Sequence, residues 1–201
     1  MTRLRITGNK AYKTLRKQHQ YALFRSLSYA MIFLKGKLES VPVQITEIIP
    51  ENMRRLMTKL RPVTQENLDA VLELQVEDGQ KGFVSTTAES LAQAYVYSET
   101  AFPFAVYSDS EIVGFIMMGY YREKAYYTLW KLLIDRKYQH RGYGRKALEL
   151  GIAFLKERFG VTEIYTGVSP GNTAAKSLYL SMGFTETGLT ENNMEELCLK
   201  C

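Results

Sequence analysis

A polar segment with two glycines, residues 139–144, is the part of the chain best suited to chemistry. It lies between an apolar run that ends at Asp135 and a helical pattern that begins at Arg145. At a helix start several backbone N–H groups lack an intrahelical partner, and the helix dipole adds roughly half a positive charge. Gly142 and Gly144 have no Cβ, so phosphate oxygens can approach the main chain closely. The pattern predicts a phosphate or pyrophosphate site, or simply a tight turn between strand and helix.

This segment differs from the two common nucleotide-binding motifs. It has no Lys-Ser/Thr after the second glycine, which a P-loop requires, and it does not fit the G-x-G-x-x-G spacing of a dinucleotide-binding fold. Arg141, Arg145 and Lys146 add positive charge around it. The residues therefore favour an anionic ligand bound in another way.

Histidine and cysteine are too scarce for most metal and nucleophile chemistry. The chain has two histidines, His19 and His140, and two cysteines, Cys198 and Cys201. This set disfavours a Ser-His-Asp triad and a multi-histidine centre, and it excludes a disulfide framework and a four-cysteine zinc site. Both cysteines fall in the last four residues, far from the glycines in sequence, so a cysteine nucleophile is not expected. We expect no metal site and a reducing, cytosolic compartment.

The formal net charge of +5 on the 201 residues is unevenly divided. Residues 1–56 carry 11 Lys and Arg against 3 Asp and Glu, a net charge of +8, whereas residues 57–201 carry 15 against 18, a net charge of −3. A basic excess would suggest a nucleic-acid partner, but it belongs to the first segment alone. We expect no nucleic-acid and no membrane partner.

Residues 1–56 are interpreted as a basic N-terminal extension. Their one apolar run, residues 27–34, has eight residues, whereas a membrane-spanning helix needs about 20. No small-residue cleavage site follows it, as a secretory signal would require. The extension is a surface helix or disordered arm, or it is not translated because the protein starts at Met57. Docking of this arm on RNA, on membrane phosphates or on a protein partner is a further alternative.

From residue 57 onward, strand-like and helix-like segments alternate without repeats or a linker, which indicates one domain, an α/β sandwich on a mixed sheet. Strands are predicted over 60–63, 102–107, 111–121, 126–135, 163–168, 184–187 and 195–199. Helices are predicted over 64–78, 88–96, 145–159 and 172–181, the first capped by Thr64 and ended by Gly79. The third has the clearest apolar stripe, Leu148, Ile152, Leu155 and Phe159, before Gly160. The strand over 126–135 is expected to present one face with Tyr126, Thr128, Trp130, Leu132 and Ile134.

Two motifs resemble those of the GNAT superfamily of N-acetyltransferases. Gln139-x-x-Gly142-x-Gly144 is similar to its acetyl-CoA signature, Gln/Arg-x-x-Gly-x-Gly/Ala. Residues 172–179, followed by Gly183-Phe184, resemble its Asn-x-x-Ala-x-x-x-Tyr block. The resemblance covers residues 57–201 and implies a mixed, mostly antiparallel sheet flanked by helices, with acetyl-CoA as the donor.

Residues 80–84, 90–96 and 129–135 look like the bacterial spermine/spermidine (diamine) acetyltransferases, and they are expected to shape the acceptor side. The resemblance then implies direct attack of a primary amine, here a polyamine such as spermidine or spermine, on the thioester in a ternary complex. The alternatives are another amine acceptor, such as an antibiotic or a protein N-terminus, a catalytically silent acetyl-CoA-binding module, and an RNA-binding protein that uses the extension. The oligomeric state stays open, a homodimer included.

The resemblance also implies roles for single residues. Tyr179 is expected to be the general acid that protonates the CoA thiolate, because a phenol with a pKa near 10 keeps its proton at pH 7; packing as an ordinary aromatic is the alternative. The residues expected to bind acetyl-CoA are Leu132, Leu133 and Ile134 through their main chain, then Gln139, His140, Arg141, Gly142, Tyr143, Gly144 and Arg145, and finally Asn172 and Lys176. Asn172 can instead cap its helix, and Lys176 can be an exposed lysine.

The acceptor side is less defined. Some polyamine acetyltransferases carry a catalytic carboxylate where residues 128–131 of this chain have none, so no general base is assigned. Glu77, Asp78 and Glu123 are interpreted as solvated charges, as substitutes for that carboxylate or as amine-binding carboxylates. Tyrosines that could hold a cation through their rings, or pack in the core, are Tyr120, Tyr121, Tyr126 and Tyr127.

Overall fold

The structure, a computed structural model, describes residues 57–201. The predictions for residues 1–56 lie outside the described residues. Within 57–201, no helix is long and apolar enough to cross a membrane.

Seven strands and four α-helices alternate along the described part of the chain. The strands are β1 (Thr58–Pro62), β2 (Ala101–Ser108), β3 (Glu111–Tyr121), β4 (Tyr126–Ile134), β5 (Glu163–Val168), β6 (Thr185–Glu191) and β7 (Met194–Lys200). The helices are α1 (Leu68–Leu72), α2 (Thr87–Val96), α3 (Tyr143–Phe159) and α4 (Thr173–Ser181). Short 3-10 turns cover Asp78–Gln80, Arg122–Lys124 and Arg136–Tyr138.

All seven strands form one sheet in the order β1-β2-β3-β4-β5-β7-β6. Every neighbouring pair is antiparallel except β4 and β5, which are parallel. One core cluster lies between the sheet and α3 and α4, and a second lies between the other face of the sheet and α1 and α2. The predicted α/β class with a mixed, mostly antiparallel sheet is confirmed.

Helix α3 follows the sequence prediction closely. Leu148 and Leu155 of its apolar stripe are fully buried, and Gly160 ends the helix with a φ of 64°. Such a left-handed residue is a common helix stop. The stripe fixes how α3 lies on the sheet and therefore where its N-terminus points.

The predicted helix over 64–78 is wrong in both its cap and its length. Asn67, not Thr64, precedes α1, and the Asn67 side chain accepts a hydrogen bond from Thr64 N at 2.8 Å and donates one to Pro62 O at 3.0 Å. The helix ends at Leu72, and Gln75 is bonded instead to the residues that follow β4. Gln75 N donates to Asp135 Oδ2 at 3.0 Å, and Gln75 O accepts a hydrogen bond from Arg136 N at 2.7 Å.

A β-bulge divides β4 into two halves with opposite side-chain alternation. Met117 pairs with Lys131 and Met118 with Leu129, so Trp130 is an extra residue on β4. On the side of the sheet that α3 covers, the core contains Tyr127, Leu129, Leu132 and Ile134. On the other side, Trp130 and Leu133 pack in the second core cluster. The single face predicted for this strand is therefore wrong, since a bulge inverts the alternation.

Candidate active site

A wedge opens in the sheet where β4 and β5 stop pairing. The two strands are in register only from Tyr127 opposite Ile164 to Leu129 opposite Thr166. Beyond these pairs β4 continues to Ile134 with one edge bonded to β3, so its other edge faces the gap. Alternate N–H and C=O groups along this free edge are available to an extended ligand, which would take the place of a neighbouring strand.

The N-terminus of α3 closes one end of the wedge. Gly142 precedes the helix with a φ of 84°, and His140 also has a positive φ of 60°. Gly142 has no side chain that could cap this end, and the first N–H groups of any α-helix lack an acceptor within the helix. A Cβ added to Gly144 would lie 3.6 Å from Ile134 Cγ1 and from Leu178 Cδ2. These are ordinary van der Waals contacts, so a methyl group would fit there. The space beside Gly144 and the N–H groups at the start of α3, together called here the cradle, suit a phosphate.

The wedge and the α3 terminus together form a cleft of about 380 Å³, called here the glycine-loop cleft. Ten of the predicted acetyl-CoA-binding residues line it: Leu132, Leu133, Ile134, Gln139, His140, Gly142, Tyr143, Gly144, Arg145 and Asn172. Tyr179 lines it as well. The structure therefore brings together two sequence motifs that lie about 30 residues apart, as expected if both touch the same ligand.

Two of the predicted phosphate-binding cations lie outside the lining of this cleft. The guanidinium of Arg141 lies 5.7 Å from the Tyr138 ring centroid. Lys176 Nζ forms ion pairs with Glu195 and, at 3.1 Å, with Glu186. A phosphate role for Lys176 requires it to leave both carboxylates, and it stays a prediction.

Side-chain contacts decide what Tyr143 and Arg145 can offer. The Tyr143 side chain is buried in the core and its hydroxyl accepts from Ser108 Oγ at 3.0 Å, so only its main chain is available to a ligand. Arg145 donates to Ser181 Oγ at 2.5 Å and to Ser181 O at 3.4 Å. This contact links the start of α3 to the end of α4.

Gln139 holds the glycine loop in place through three hydrogen bonds. Its Nε2 donates to Ile134 O at 3.0 Å and to Gln80 Oε1 at 2.8 Å, and its Oε1 accepts from Gln80 Nε2 at 3.2 Å. Gln80 and its neighbours Phe83 and Val84 also line the cleft. Sequence analysis had placed residues 80–84 on the acceptor side alone. The reciprocal capping box between Glu77 and Gln80 marks a turn here, but it gives no sign that the turn reaches the glycine loop.

Asn172 serves as the N-cap of α4. Its Oδ1 accepts a hydrogen bond from Ala175 N at 3.2 Å, which satisfies one of the free donors at the helix start. The residue also lines the cleft, and an asparagine amide has donors that this cap leaves unused. The capping role is present in the structure, and contact with a ligand stays a prediction.

Tyr179 lies at the inner end of the cleft, with 6% of its surface exposed. Burial raises the pKa of its phenol to about 12, while a hydrogen bond with Thr166 acts in the opposite direction. The Thr166 hydroxyl donates to Leu129 O at 3.2 Å, at the last residue pair between β4 and β5. Tyr179 therefore lies beside the vertex of the wedge, and its phenol keeps its proton at neutral pH.

A second cavity of about 450 Å³, the junction cavity, continues from Tyr179. Thr166, Trp130 and Lys131 are among the residues that line it. Lys131 is half-buried, donates to Ser85 Oγ at 3.0 Å, and has its pKa lowered by burial.

A third cavity of about 350 Å³ shares Thr166, Trp130 and Lys131 with the junction cavity and is called here the tyrosine cavity. Its aromatic walls are Tyr97, Tyr121, Tyr126 and Trp130, and its carboxylates are Glu123, Glu191 and Glu196. Tyr120 also lines it, but the Tyr120 ring packs against that of its cross-strand partner Tyr127, at a centroid distance of 4.9 Å. Glu191 and Glu196, on the last two strands, were missed by sequence analysis. Tyr127 projects to the opposite face, where it stacks on Phe159 at 5.0 Å, and Glu77 and Asp78 lie outside the lining.

The comparisons with known proteins agree with this geometry. The model of the Acetyltransferase (GNAT) family matches residues 68–184, which is more than half of the chain. The chain belongs to this family and is an N-acetyltransferase, and acetyl-CoA is the donor that the family uses.

Several relatives differ in the acceptors that their names state. The chain is 29% identical over 150 residues to the spermine/spermidine N(1)-acetyltransferase of Bacillus subtilis, covering 70% of this chain and 96% of that protein. It is 31% identical over 113 residues to the ribosomal protein bS18-alanine N-acetyltransferase of Escherichia coli, covering 52% and 74%. It is 38% identical over 76 residues to an L-2,4-diaminobutyric acid acetyltransferase of Streptomyces avermitilis, covering 37% and 42%.

Solved structures match the fold. The PaiA N-acetyltransferase of Thermoplasma acidophilum, in complex with coenzyme A, superposes with a TM-score of 0.55 at 20% identity, covering 72% of this chain and 99% of that one. The Escherichia coli ribosomal-protein-S18-alanine N-acetyltransferase gives 0.54 at 23% identity, covering 72% and 94%. Both show that the fold is that of an acetyltransferase, and neither specifies the acceptor.

Proposed function

We propose that this protein transfers the acetyl group of acetyl-CoA to a primary amine of a polyamine such as spermidine or spermine. The observation that carries the proposal is the tyrosine cavity, which combines several tyrosine rings with three glutamates and adjoins the junction cavity beside Tyr179. Carboxylates and aromatic faces are the groups that bind alkylammonium ions. The resemblance to the Bacillus subtilis enzyme over most of both chains supports the same substrate class.

The three cavities give each part of the reaction a place. The glycine-loop cleft offers main-chain N–H groups to the pyrophosphate and the free edge of β4 to the pantetheine arm. The junction cavity then receives the thioester, and the tyrosine cavity holds the amine. Because Trp130, Lys131 and Thr166 line both of the latter cavities, the nucleophile can reach the acetyl carbon without leaving the protein.

Transfer requires that a neutral amine nitrogen form a bond to the acetyl carbon while the carbon–sulfur bond breaks. Tyr179 donates its proton to the departing thiolate, and the acetylated nitrogen loses one proton, which restores the phenol through solvent. Burial raises the pKa of the Tyr179 phenol to about 12. The same low-dielectric surroundings raise the pKa of a thiol formed beside it, so the proton transfer is not penalised by the buried position of the acid.

An acetyl-CoA assay against an amine panel tests the substrate. CoA-thiol release is measured with spermidine, spermine, 2,4-diaminobutyrate and an alanine-terminated peptide, using the full chain. We expect kcat/KM to be highest for the polyamines. A clear preference for the amino acid or the peptide would overturn the polyamine assignment and leave the acetyltransferase assignment intact.

A charge-removing variant tests the cavity itself. Glu196→Gln should raise the KM for spermidine about 10-fold, corresponding to about 1.4 kcal/mol, because one carboxylate facing the ammonium is lost. The KM for acetyl-CoA should not change. Glu157→Gln, at an exposed position on α3 outside the cavity lining, is the matched control and should behave like the wild type.

A further inference from the structure

An ammonium group of the protein itself lies against the carboxylates of the tyrosine cavity. Lys124, on the 3-10 turn between β3 and β4, forms ion pairs with Glu191 and, at 3.6 Å, with Glu196 Oε2. Its Nζ is 6.0 Å from the ring centroid of Tyr121 and 5.7 Å from that of Tyr126. These four partners all line the cavity that we assign to the acceptor amine.

One carboxylate partner of Lys124, Glu196, is held more firmly than Lys124 itself. The Glu196 side chain is only 11% exposed, and its carboxylate accepts from Tyr126 Oη at 3.2 Å and from Thr187 Oγ1 at 3.0 Å. The Lys124 side chain is 31% exposed and reaches the carboxylates on a flexible four-carbon stem. The carboxylate and the rings therefore form a preformed receptor, and the lysine is the part that can leave.

The positive charge of Lys124 reduces the net negative charge of the tyrosine cavity. The hydrogen bond to Glu191 raises the pKa of Lys124 well above its usual range, so the side chain is a cation at physiological pH. While it is in place it neutralises carboxylate charge that would otherwise attract a substrate. Arg122, the neighbouring cation, pairs with Glu99.

We propose that Lys124 determines acceptor specificity, because its ammonium occupies the subsite that receives the non-reacting ammonium of a diamine or polyamine and must be displaced by it. This inference rests on the proposed function and adds the location of the second ammonium. A primary ammonium on an alkyl chain has the same charge, the same three donors and the same apolar stem as the lysine side chain. Its entry exchanges one cation for another, so every carboxylate keeps a partner.

A substrate without a second ammonium cannot make this exchange. A monoamine places its one nitrogen at the junction cavity and leaves Lys124 where it is. Removing the lysine charge should therefore strengthen the binding of diamines and leave that of monoamines unchanged. A purely structural cross-link would behave differently, since its loss would lower stability without separating the two substrate classes.

The test compares Lys124→Met, which keeps the stem and loses the charge, with Lys124→Arg, which keeps the charge. We expect Lys124→Met to lower the KM for spermidine and 1,3-diaminopropane about 10-fold, with the KM for propylamine and for acetyl-CoA unchanged. Lys124→Arg should remain close to the wild type. Circular dichroism establishes that each variant is folded, and Lys124→Gln replaces the Met variant if that one is not.

Unchanged or raised diamine KM in a folded, uncharged variant would overturn the proposal. Calorimetric titration with spermidine separates this failure from failure of the proposed function. If no diamine is acetylated, tighter spermidine binding by Lys124→Met than by wild type still supports the subsite. Equal binding by the two proteins, or none by either, overturns it.

Discussion

Tyr179 and Thr166 both line the junction cavity, beside the vertex of the wedge between β4 and β5. Thr166 in turn donates to Leu129 O at 3.2 Å, the carbonyl of the last β4 residue that pairs with β5. Tyr179 therefore lies next to the point where the sheet opens. The position of the Tyr179 phenol relative to a bound thioester therefore depends on the register between β4 and β5 as well as on the rotamer of Tyr179.

Tyr179→Phe should lower kcat about 100-fold or more, which is the scale of general acid–base catalysis. The phenyl ring keeps the packing against Phe184, at a centroid distance of 5.7 Å, so the Kd for CoA should change little. Initial rates of CoA-thiol release and calorimetric CoA binding measure the two effects. Tyr95→Phe, at a position that is 85% exposed, is the control. An unchanged kcat would remove Tyr179 from the reaction.

Stability at high pH should depend on Tyr179. Its pKa is raised to about 12 in the folded protein, compared with about 10 in an unfolded chain. A group with a raised folded pKa contributes stability that is fully present below pH 10 and is lost as the pH rises toward 12. The free energy of unfolding should fall by about 1 kcal/mol per pH unit over this window because of Tyr179 alone.

Urea unfolding at pH 9, 10 and 11 measures this loss. Other tyrosines with raised pKa, Tyr126, Tyr138 and Tyr165, are present in both the wild type and Tyr179→Phe, so the difference between the two slopes isolates Tyr179. Equal slopes for the two proteins would contradict the burial of an un-ionised phenol at this position.

The glycine-loop cleft was largely predictable from sequence because its signals are local. A strand, two glycines and a helix start occupy consecutive residues, so the position of Gly142 follows from the chain without knowledge of the sheet. Asn172 is similar, since a cap residue and the helix that it begins are neighbours in sequence. The resemblance of residues 139–144 and 172–179 to two motifs of one family then predicted that both belong to the same acetyl-CoA site.

The acceptor side could not be predicted in the same way because it depends on contacts that are remote in sequence. Glu191 and Glu196 reach the tyrosine cavity only because β7 is inserted between β5 and β6 in the sheet. The bulge at Trp130 arises because β4 has one residue more than β3 at this point of their pairing, and neither strand's sequence shows this by itself. Gln80 is a further example, since its partner Gln139 lies 59 residues away.

Two variants of Asn172 should separate helix capping from ligand contact. Asn172→Ala removes the oxygen that accepts from Ala175 N and should cost about 1 kcal/mol of stability. Asn172→Asp keeps that acceptor, removes the amide donors and adds a negative charge, which is favourable at a helix N-terminus, so stability should be retained. If the amide contacts acetyl-CoA, both variants should raise the Kd for CoA. Wild-type CoA binding by a stable Asn172→Asp protein would leave capping as the role of this residue.

Glycine variants test whether phosphate lies in the cradle at the start of α3. Gly144→Ala should fold well, because its Cβ would make only ordinary contacts at 3.6 Å and alanine favours a helix by up to about 1 kcal/mol. The same methyl group fills the cradle, so the Kd for CoA should rise about 10-fold or more. Calorimetric CoA titration and thermal unfolding give the two readouts. Wild-type CoA affinity in Gly144→Ala would place the phosphates elsewhere.

Gly142→Ala should instead lose both stability and affinity, since alanine at a φ of 84° costs about 1 to 2 kcal/mol. Gly160→Ala is its matched control, because Gly160 has a φ of 64° and open space around it at the far end of the same helix. This control should lose a similar amount of stability and bind CoA like the wild type. If Gly160→Ala weakened CoA binding as much as Gly142→Ala, the loss would reflect the helix as a whole and not a phosphate at its N-terminus.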